Sequence, residues 1–407
     1  MNICILTCST LSHQMGGTEV HCQILSEMAV QKGHSVTVIT TKHPTGLEYE
    51  QKNGSDIYYL SDTRAARLSK SWWKESAKKI VLLHQKKPFD IIWAENLSDY
   101  YYAWKVKPLL KIPNISIIQG LGILGYIRSE WNRVSSFKEL LSFTGKYLPE
   151  AFFFYIPWFF RTLKYSDAIV GVSDEAIAGL KKEFRIPAEK FSVIYNGIDT
   201  AIFAPDEHKR EFIRKKLALG EKHKLLLMVG VIHKQKGMHI GLEAFVQIKK
   251  IIPEVKMIIV GDGPHLESLK KLVKELNIED DVVFCGLIPN EETPFYYNAA
   301  DLFFNPTLRF EGFCIVTIEA MSCGKPSVVS LIGGTKSTID DRVNGFFVRP
   351  KDVKSLADKT VEILSNPLLA KRMGERAREK AFAKFSKEKM INDYLHISQK
   401  LIDEKRG

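Results

Sequence analysis

Short β-prone runs alternate with amphipathic helical stretches along this chain, and the whole alternation occurs twice. In the first half, strands are expected at Asn2–Leu6, Val36–Thr40, Asp90–Trp93, Ile115–Gln119, Ala168–Gly171 and Ser192–Ile194. In the second half they are expected at Lys224–Val229, Lys256–Val260, Val282–Phe284, Leu302–Phe304, Ser327–Val329 and Gly345–Val348. Strands that alternate with helices form parallel sheets covered on both faces. At 407 residues the chain is too long for one ordinary core, so the expected architecture is α/β with two doubly wound domains. The boundary is expected within Tyr195–Pro205, where Asn196-Gly197 is a turn signal and Pro205 stops local structure. That gives one domain over 1–194, a second over 195–385, and a Ser-capped helix candidate from Ser386 to Asp403. Ligands of open α/β sheets bind beyond the carboxyl ends of the strands, so the expected site is a cleft between two facing sheets.

Composition removes several function classes. Hydrophobic residues make up 45% and charged residues 26%, as in ordinary globular proteins. The six cysteines (Cys4, Cys8, Cys22, Cys285, Cys314 and Cys323) show no Cys-x-x-Cys spacing, which fits a reduced setting and neither a zinc site nor a disulfide framework. The opening MNICILTCST enters a strand pattern at once, with no cationic start before an apolar run, so a cytoplasmic location is expected. The aromatic run Ala151–Phe160 is about half the length needed to span a bilayer, and Pro157 interrupts it. The formal net charge of +11 fits three kinds of partner. One is nucleic acid, for which no interleaved basic-aromatic motif is present. The second is an anionic membrane face met peripherally, and the third is a phosphorylated donor or lipid-linked acceptor.

Phe310–Ser330, FEGFCIVTIEAMSCGKPSVVS, carries the most chemistry. Glu311-Gly312 reads as a tight turn, Phe313–Cys323 as a helix ended by Gly324-Lys325-Pro326, and Ser327–Ser330 as a buried strand. An acid just before a helix start lies beside unpaired N–H groups and a positive dipole end, which suits phosphate. Glu319 lies about two turns on and is expected to face the same crevice. In the first half, Gly16-Gly17 follows the first strand and opens a helix, but this is no GxGxxG fingerprint.

This Phe310–Ser330 segment resembles the signature of retaining, nucleotide-sugar-dependent glycosyltransferases of family 4, which have the GT-B fold of two Rossmann-like domains. The resemblance covers nearly the whole chain. It implies that Glu311 holds donor-sugar hydroxyls, that the backbone of the Phe313, Cys314, Ile315 and Val316 stretch meets the diphosphate, and that Glu319 binds the ribose. It implies a donor-facing loop at Gly16 and Gly17, and nucleotide-bordering loops at Asp262, which is also expected to cap the next helix, and at Leu287. It further implies that the helix over 386–407 packs back on the first domain, which would bind the acceptor while the second binds the donor. Ile332-Gly333-Gly334-Thr335 reads as a further cleft loop, with Lys336 and Ser337 where the family often has Pro-Glu.

Two positions depart from the family pattern. After Gly230 the family has an arginine and, five residues later, a lysine, both on the diphosphate; Lys236 matches, but Val231 stands in place of the arginine. Gln119 stands where many members have a histidine near the sugar, and glutamine can hydrogen-bond but cannot titrate. The aromatic and cationic stretch Leu121–Lys164 (Tyr126, Arg128, Trp131, Arg133, Lys146, Trp158, Arg161) matches no motif and fits a membrane face or an acceptor groove.

The resulting expectation is a retaining, metal-independent hexosyltransferase with no cofactor beyond its nucleotide-diphosphate sugar. Its acceptor would be a glycan or lipid-linked hydroxyl, in polysaccharide, glycolipid or glycoconjugate synthesis, and it would work in the cytoplasm or on the inner face of the membrane. Glu311, Lys236 and Gln119 are the expected catalytic residues. The alternatives are a non-catalytic nucleotide-sugar-binding subunit and a sugar-nucleotide epimerase of the same fold, the latter disfavoured by the seven-residue gap between the glutamates.

Overall fold

The computed structural model describes residues 1–14, 16–122, 125, 127, 131, 137–220 and 222–406. Tyr126, Arg128 and Arg133, singled out above, lie outside these residues, as does Met15. The chain divides into two units, Met1–Gly197 with Lys387–Gly407, and Ile198–Ser386.

The first unit is built on an eight-stranded sheet of order β3-β4-β2-β1-β5-β6-β7-β8. Its strands are β1 (Asn2–Leu6), β2 (Ser35–Thr41), β3 (Tyr49–Lys52), β4 (Ser55–Leu60), β5 (Ile91–Glu95), β6 (Asn114–Ile118), β7 (Ala168–Gly171) and β8 (Phe191–Val193). Every pair is parallel except β3 with β4. Side chains alternate across a strand, and here both faces are buried. Ile3 and Ile5 of β1 and Trp93 of β5 join a core with Leu25 of the helix Gly17–Gln31 and with Met390, Ile391 and Tyr394 of the last helix, Lys387–Arg406. Cys4, Leu6 and Ala94 point the other way, into a core with Trp72, Trp73 and Ile80 of the helix Lys70–Lys86. The indole N–H of Trp93 donates to Ser398 Oγ at 2.9 Å, so the end of the chain is fastened into this unit.

The hairpin β3–β4 is absent from the sequence expectation, although its turn is spelled out. Lys52 pairs with Ser55 across Asn53-Gly54, whose φ angles of 50° and 80° are both left-handed. Asn-Gly is the strongest short hairpin signal, because both central residues of a type I′ turn need positive φ. Its strand YEQK has no apolar alternation, being an edge strand that is largely exposed, so nothing but the turn marks it.

The second unit carries a fully parallel six-stranded sheet, β11-β10-β9-β12-β13-β14. Its strands are β9 (Lys224–Val229), β10 (Val255–Val260), β11 (Val282–Gly286), β12 (Leu302–Asn305), β13 (Ser327–Ser330) and β14 (Gly345–Val348). Leu226 and Met228 face a core that includes Leu242 and Phe245 of the helix Met238–Ile251, while Leu225 and Leu227 are equally buried on the opposite face. In this order the chain direction across the sheet reverses between β9 and β12. Their carboxyl ends therefore diverge into a crevice, the place where doubly wound sheets take ligands.

Candidate functional site

The loops after β9 and β12 meet in that crevice. Beyond β9, Gly230 has φ +141°, Val231 is exposed, and His233 Nδ1 accepts from the Gln235 N–H to cap a short turn over Lys234–Lys236. Gly237 follows with φ +67°, and a Cβ there would lie 2.0 Å from the Pro306 carbonyl oxygen. Only glycine satisfies both demands. The Gln235 carbonyl accepts from the Leu308 N–H at 2.8 Å, which locks the turn onto the chain leaving β12. Lys236 Nζ consequently lies 2.5 Å from Glu311 Oε1, with side chains 24% and 10% exposed. Burial acts to lower the Lys236 ammonium, but the Glu311 carboxylate outweighs it and holds the group above its usual value. The lysine is thus a partly desolvated, ion-paired cation and not a solvated surface charge.

Glu311 is placed by the loop after β13. Gly334 N–H donates to the Glu311 carbonyl at 2.8 Å, and a Cβ on Gly334 would lie 1.9 Å from the Gly312 carbonyl oxygen. The Gly333-Gly334 motif, expected only to line a cleft, here allows one backbone to press on another and sets the Glu311-Gly312 turn.

The helix after Glu311 begins two residues later than expected, spanning Ile315–Ser322 with Cys314 at its N-cap. Phe313 lies before the helix, and its ring packs edge-on against Phe385 at 5.6 Å. No side chain caps this helix. The Cys314 sulfur instead accepts from Asn305 Nδ2 at 2.8 Å, and burial pushes its thiol up to about 12. The N–H groups at Ile315 and Val316 therefore have no side-chain cap competing with an anion.

Glu319 faces a different environment from Glu311. It is buried, and its Oε2 accepts from the Tyr297 hydroxyl at 2.7 Å. Burial pushes its carboxyl up to about 7, with the tyrosine bond acting in the opposite sense. A folded-state value above the usual 4.5 means that the protonated form stabilises the fold. That contribution is full below the usual value and is lost as pH rises through about 7. Glu319→Gln is expected to raise the melting temperature relative to wild type at pH 8 and to be close to neutral at pH 5. Thermal melts at the two pH values check this, and an equal offset at both would contradict it.

Asp262 does not cap the next helix. Its Oδ1 accepts from the adjacent Gly263 N–H at 2.6 Å, and the helix Leu266–Glu275 starts at His265 with no side-chain cap. What the loop supplies is backbone: Ile232 N–H donates to the Asp262 carbonyl at 2.8 Å, and a Cβ on Gly261 would lie 2.0 Å from the Gly230 carbonyl oxygen. Leu287, just past β11, is 71% exposed and free to meet a flat apolar ligand surface.

In the first unit, Gly16 and Gly17 begin the helix Gly17–Gln31, with Gly16 in extended backbone and no side-chain cap. Gln119 is not idle at its strand end: its Nε2 donates to Glu95 Oε2 at 3.1 Å and its Oε1 accepts from Asn196 Nδ2 at 3.2 Å. Glu95 Oε1 lies 2.5 Å from His21 Nδ1, both side chains being almost wholly buried. Glu19, also buried, accepts from Ser9 Oγ and from Gln14 Nε2. These acids lie at the carboxyl ends of β1 and β5, where this sheet also reverses direction. Sequence reasoning missed Glu95 and His21. The available signal was a glutamate ending an otherwise apolar strand, IIWAE, beside a sheet reversal.

Two family models match the chain, Glycosyltransferase Family 4 over residues 15–202 and Glycosyl transferases group 1 over residues 209–380. The chain belongs to glycosyltransferase family 4. An uncharacterized glycosyltransferase of Methanocaldococcus jannaschii is 27% identical over 405 residues, 98% of this chain and 97% of that one. Sucrose-phosphate synthase from Thermosynechococcus elongatus superposes with a TM-score of 0.81 at 22% identity, covering 99% and 100% of the two chains. Anabaena HepE in complex with UDP superposes with a TM-score of 0.77 at 20% identity, covering 98% and 100%. The two parallel-sheet units of this glycosyltransferase have the GT-B fold.

Proposed function

We propose that this glycosyltransferase moves a sugar, as a hexosyltransferase, from a nucleoside-diphosphate donor to an acceptor hydroxyl with retention at the anomeric carbon. The observation that carries the reading is the Lys236–Glu311 pair at the sheet reversal, directly ahead of an uncapped helix start. A diphosphate seated there would take the Lys236 ammonium and the N–H groups of Ile315 and Val316, releasing Glu311 to accept from sugar hydroxyls. Asp262 and Leu287 border the nucleotide in this reading, and Glu319 accepts from the ribose once ionised. UDP bound to Anabaena HepE, a protein of the same fold, supports a nucleotide-sugar donor. The first unit would hold the acceptor.

In the transfer, the bond from the anomeric carbon to the diphosphate oxygen breaks. The acceptor oxygen forms its bond on the same face, and its proton goes to the departing phosphate oxygen. Lys236 and the helix start stabilise the charge that develops on that oxygen, and no metal is required. Gln119 would orient a sugar hydroxyl from a position fixed by Glu95 and Asn196.

Activity is expected to survive treatment with a chelator in a working transfer assay. Loss of activity restored by a divalent cation would contradict this account of leaving-group stabilisation. Exposed Val231, where the family places a cation, favours one second reading, a subunit that binds a nucleotide sugar without transferring it. Donor binding without turnover on any acceptor would select that reading.

A further inference from the structure

The helical segment 137–165 in the first unit carries an apolar surface that the core does not use. It runs from Phe137–Ser142 through two π turns, Phe143–Tyr147 and Ala151–Tyr155, into the helix Ile156–Tyr165. One side is anchored: Ala151, Thr162 and Leu163 are buried, and Trp158 packs on Trp73 at 4.6 Å between ring centres. The other side is bare. Phe152, Phe153 and Phe154 are 60%, 75% and 50% exposed, and Phe137 and Leu141 are also more than half exposed. Three consecutive exposed phenylalanines on an otherwise well-packed unit mark an interaction site.

Charge selects the occupant. Lys164 lies over the rings of Phe160 and Tyr165 at 5.8 and 5.6 Å, and Lys146 over Tyr147 at 5.5 Å, so long cations border the aromatic face. Aromatic rings with snorkelling lysines are the chemistry of the lipid headgroup boundary. The chain as a whole carries a net charge of +11, which draws it to an anionic surface and makes a second copy of itself a poor partner. Among the described residues no helix is long and apolar enough to cross a membrane, so the contact lies along the surface.

We infer that this segment seats the protein peripherally on an anionic bilayer, with Phe152, Phe153 and Phe154 entering the acyl boundary and Lys146 and Lys164 meeting the headgroups. The inference is independent of the proposed transfer reaction. It is tested by vesicle flotation of the full chain. Vesicles of phosphatidylcholine with roughly one third phosphatidylglycerol are expected to carry the protein up at low salt, and pure phosphatidylcholine vesicles to carry far less. The triple variant Phe152→Ser, Phe153→Ser, Phe154→Ser changes side chains that are half or more exposed. Because Phe154 also packs on Trp158 at 5.7 Å between ring centres, a melting curve beside that of wild type checks that the variant stays folded. It should bind the anionic vesicles at least about tenfold less. Lys146→Glu with Lys164→Glu should weaken binding to the anionic vesicles and leave the small binding to neutral ones unchanged. Wild type failing to float with either composition would overturn the inference, as would equal binding to both or undiminished binding by the triple variant. So would a wild-type dimer that the triple variant splits, since that would assign the face to a second copy.

Discussion

Lys236→Ala is expected to lower kcat/KM for sugar transfer by roughly a factor of 100 to 1,000, the loss typical of removing one fixed donor from a developing oxyanion. Lys236 is a cation in a partly dry crevice, 2.5 Å from a carboxylate and opposite a helix start with no side-chain cap. Its removal takes away a side-chain cation that the ion pair with Glu311 holds in place, and Val231 offers no charge to replace it. The effect should fall mainly on kcat, since charge on the leaving oxygen grows towards the transition state. The same change leaves Glu311, only 10% exposed, without its partner, so some loss of stability should accompany it. Lys236→Arg separates the two effects: it keeps the charge but cannot reproduce the compact ammonium, and should recover stability better than turnover. Steady-state kinetics with melting curves on both variants check this. A Lys236→Ala enzyme with unchanged kcat would remove the lysine from the chemistry.

Gly334→Ala is the second large expectation, and it touches no ligand. A Cβ at this position would lie 1.9 Å from the Gly312 carbonyl oxygen, a contact with backbone that no rotamer change can relieve. Either the loop after β13 retreats, breaking the Gly334–Glu311 backbone bond, or the Glu311-Gly312 turn moves. Both displace the Glu311 carboxylate from Lys236. Overpacking of this kind costs about 1–3 kcal/mol, and a displacement of about 1 Å at a reacting centre can cost on the order of 100-fold in rate. Activity should therefore fall more than stability does. Gly46→Ala is the control. That residue has φ +86° and no atom within 4 Å of an added Cβ, so the change strains backbone without the steric collision. Comparable activity in Gly334→Ala and wild type would show that this contact does not position Glu311.

Much of this arrangement is legible in the chain, for reasons that differ by element. The strands β1, β7, β9 and β14 lie where β-prone apolar runs predict them, because a strand buried on both faces has to be apolar throughout. Phe310–Ser330 is legible because the junction of an acid, a glycine turn and a helix start is local. The edge strand β3 is not, since an exposed edge strand needs no apolar period; the turn Asn53-Gly54 and the β-prone run Ile57–Leu60 of its partner are what mark the hairpin. The Glu95–His21 pair joins residues 74 apart and is invisible to any local pattern. Gly334 is a third case. It reads as one more flexible loop residue, and only the approach of another backbone shows why a Cβ is excluded. Glu311 and Glu319 look equivalent in sequence, but one meets a lysine and the other a buried tyrosine.

The central claim is that the second unit holds a nucleoside diphosphate between Lys236 and the helix start at Ile315. The most direct measurement is a thermal-shift titration of wild type and Lys236→Ala with UDP, GDP and ADP. One nucleotide should stabilise the wild type, by roughly 2.7 kcal/mol at about 100 times its dissociation constant. The same concentration should give a much smaller shift in Lys236→Ala. No shift with any of the three, or equal shifts in the two proteins, would contradict the account.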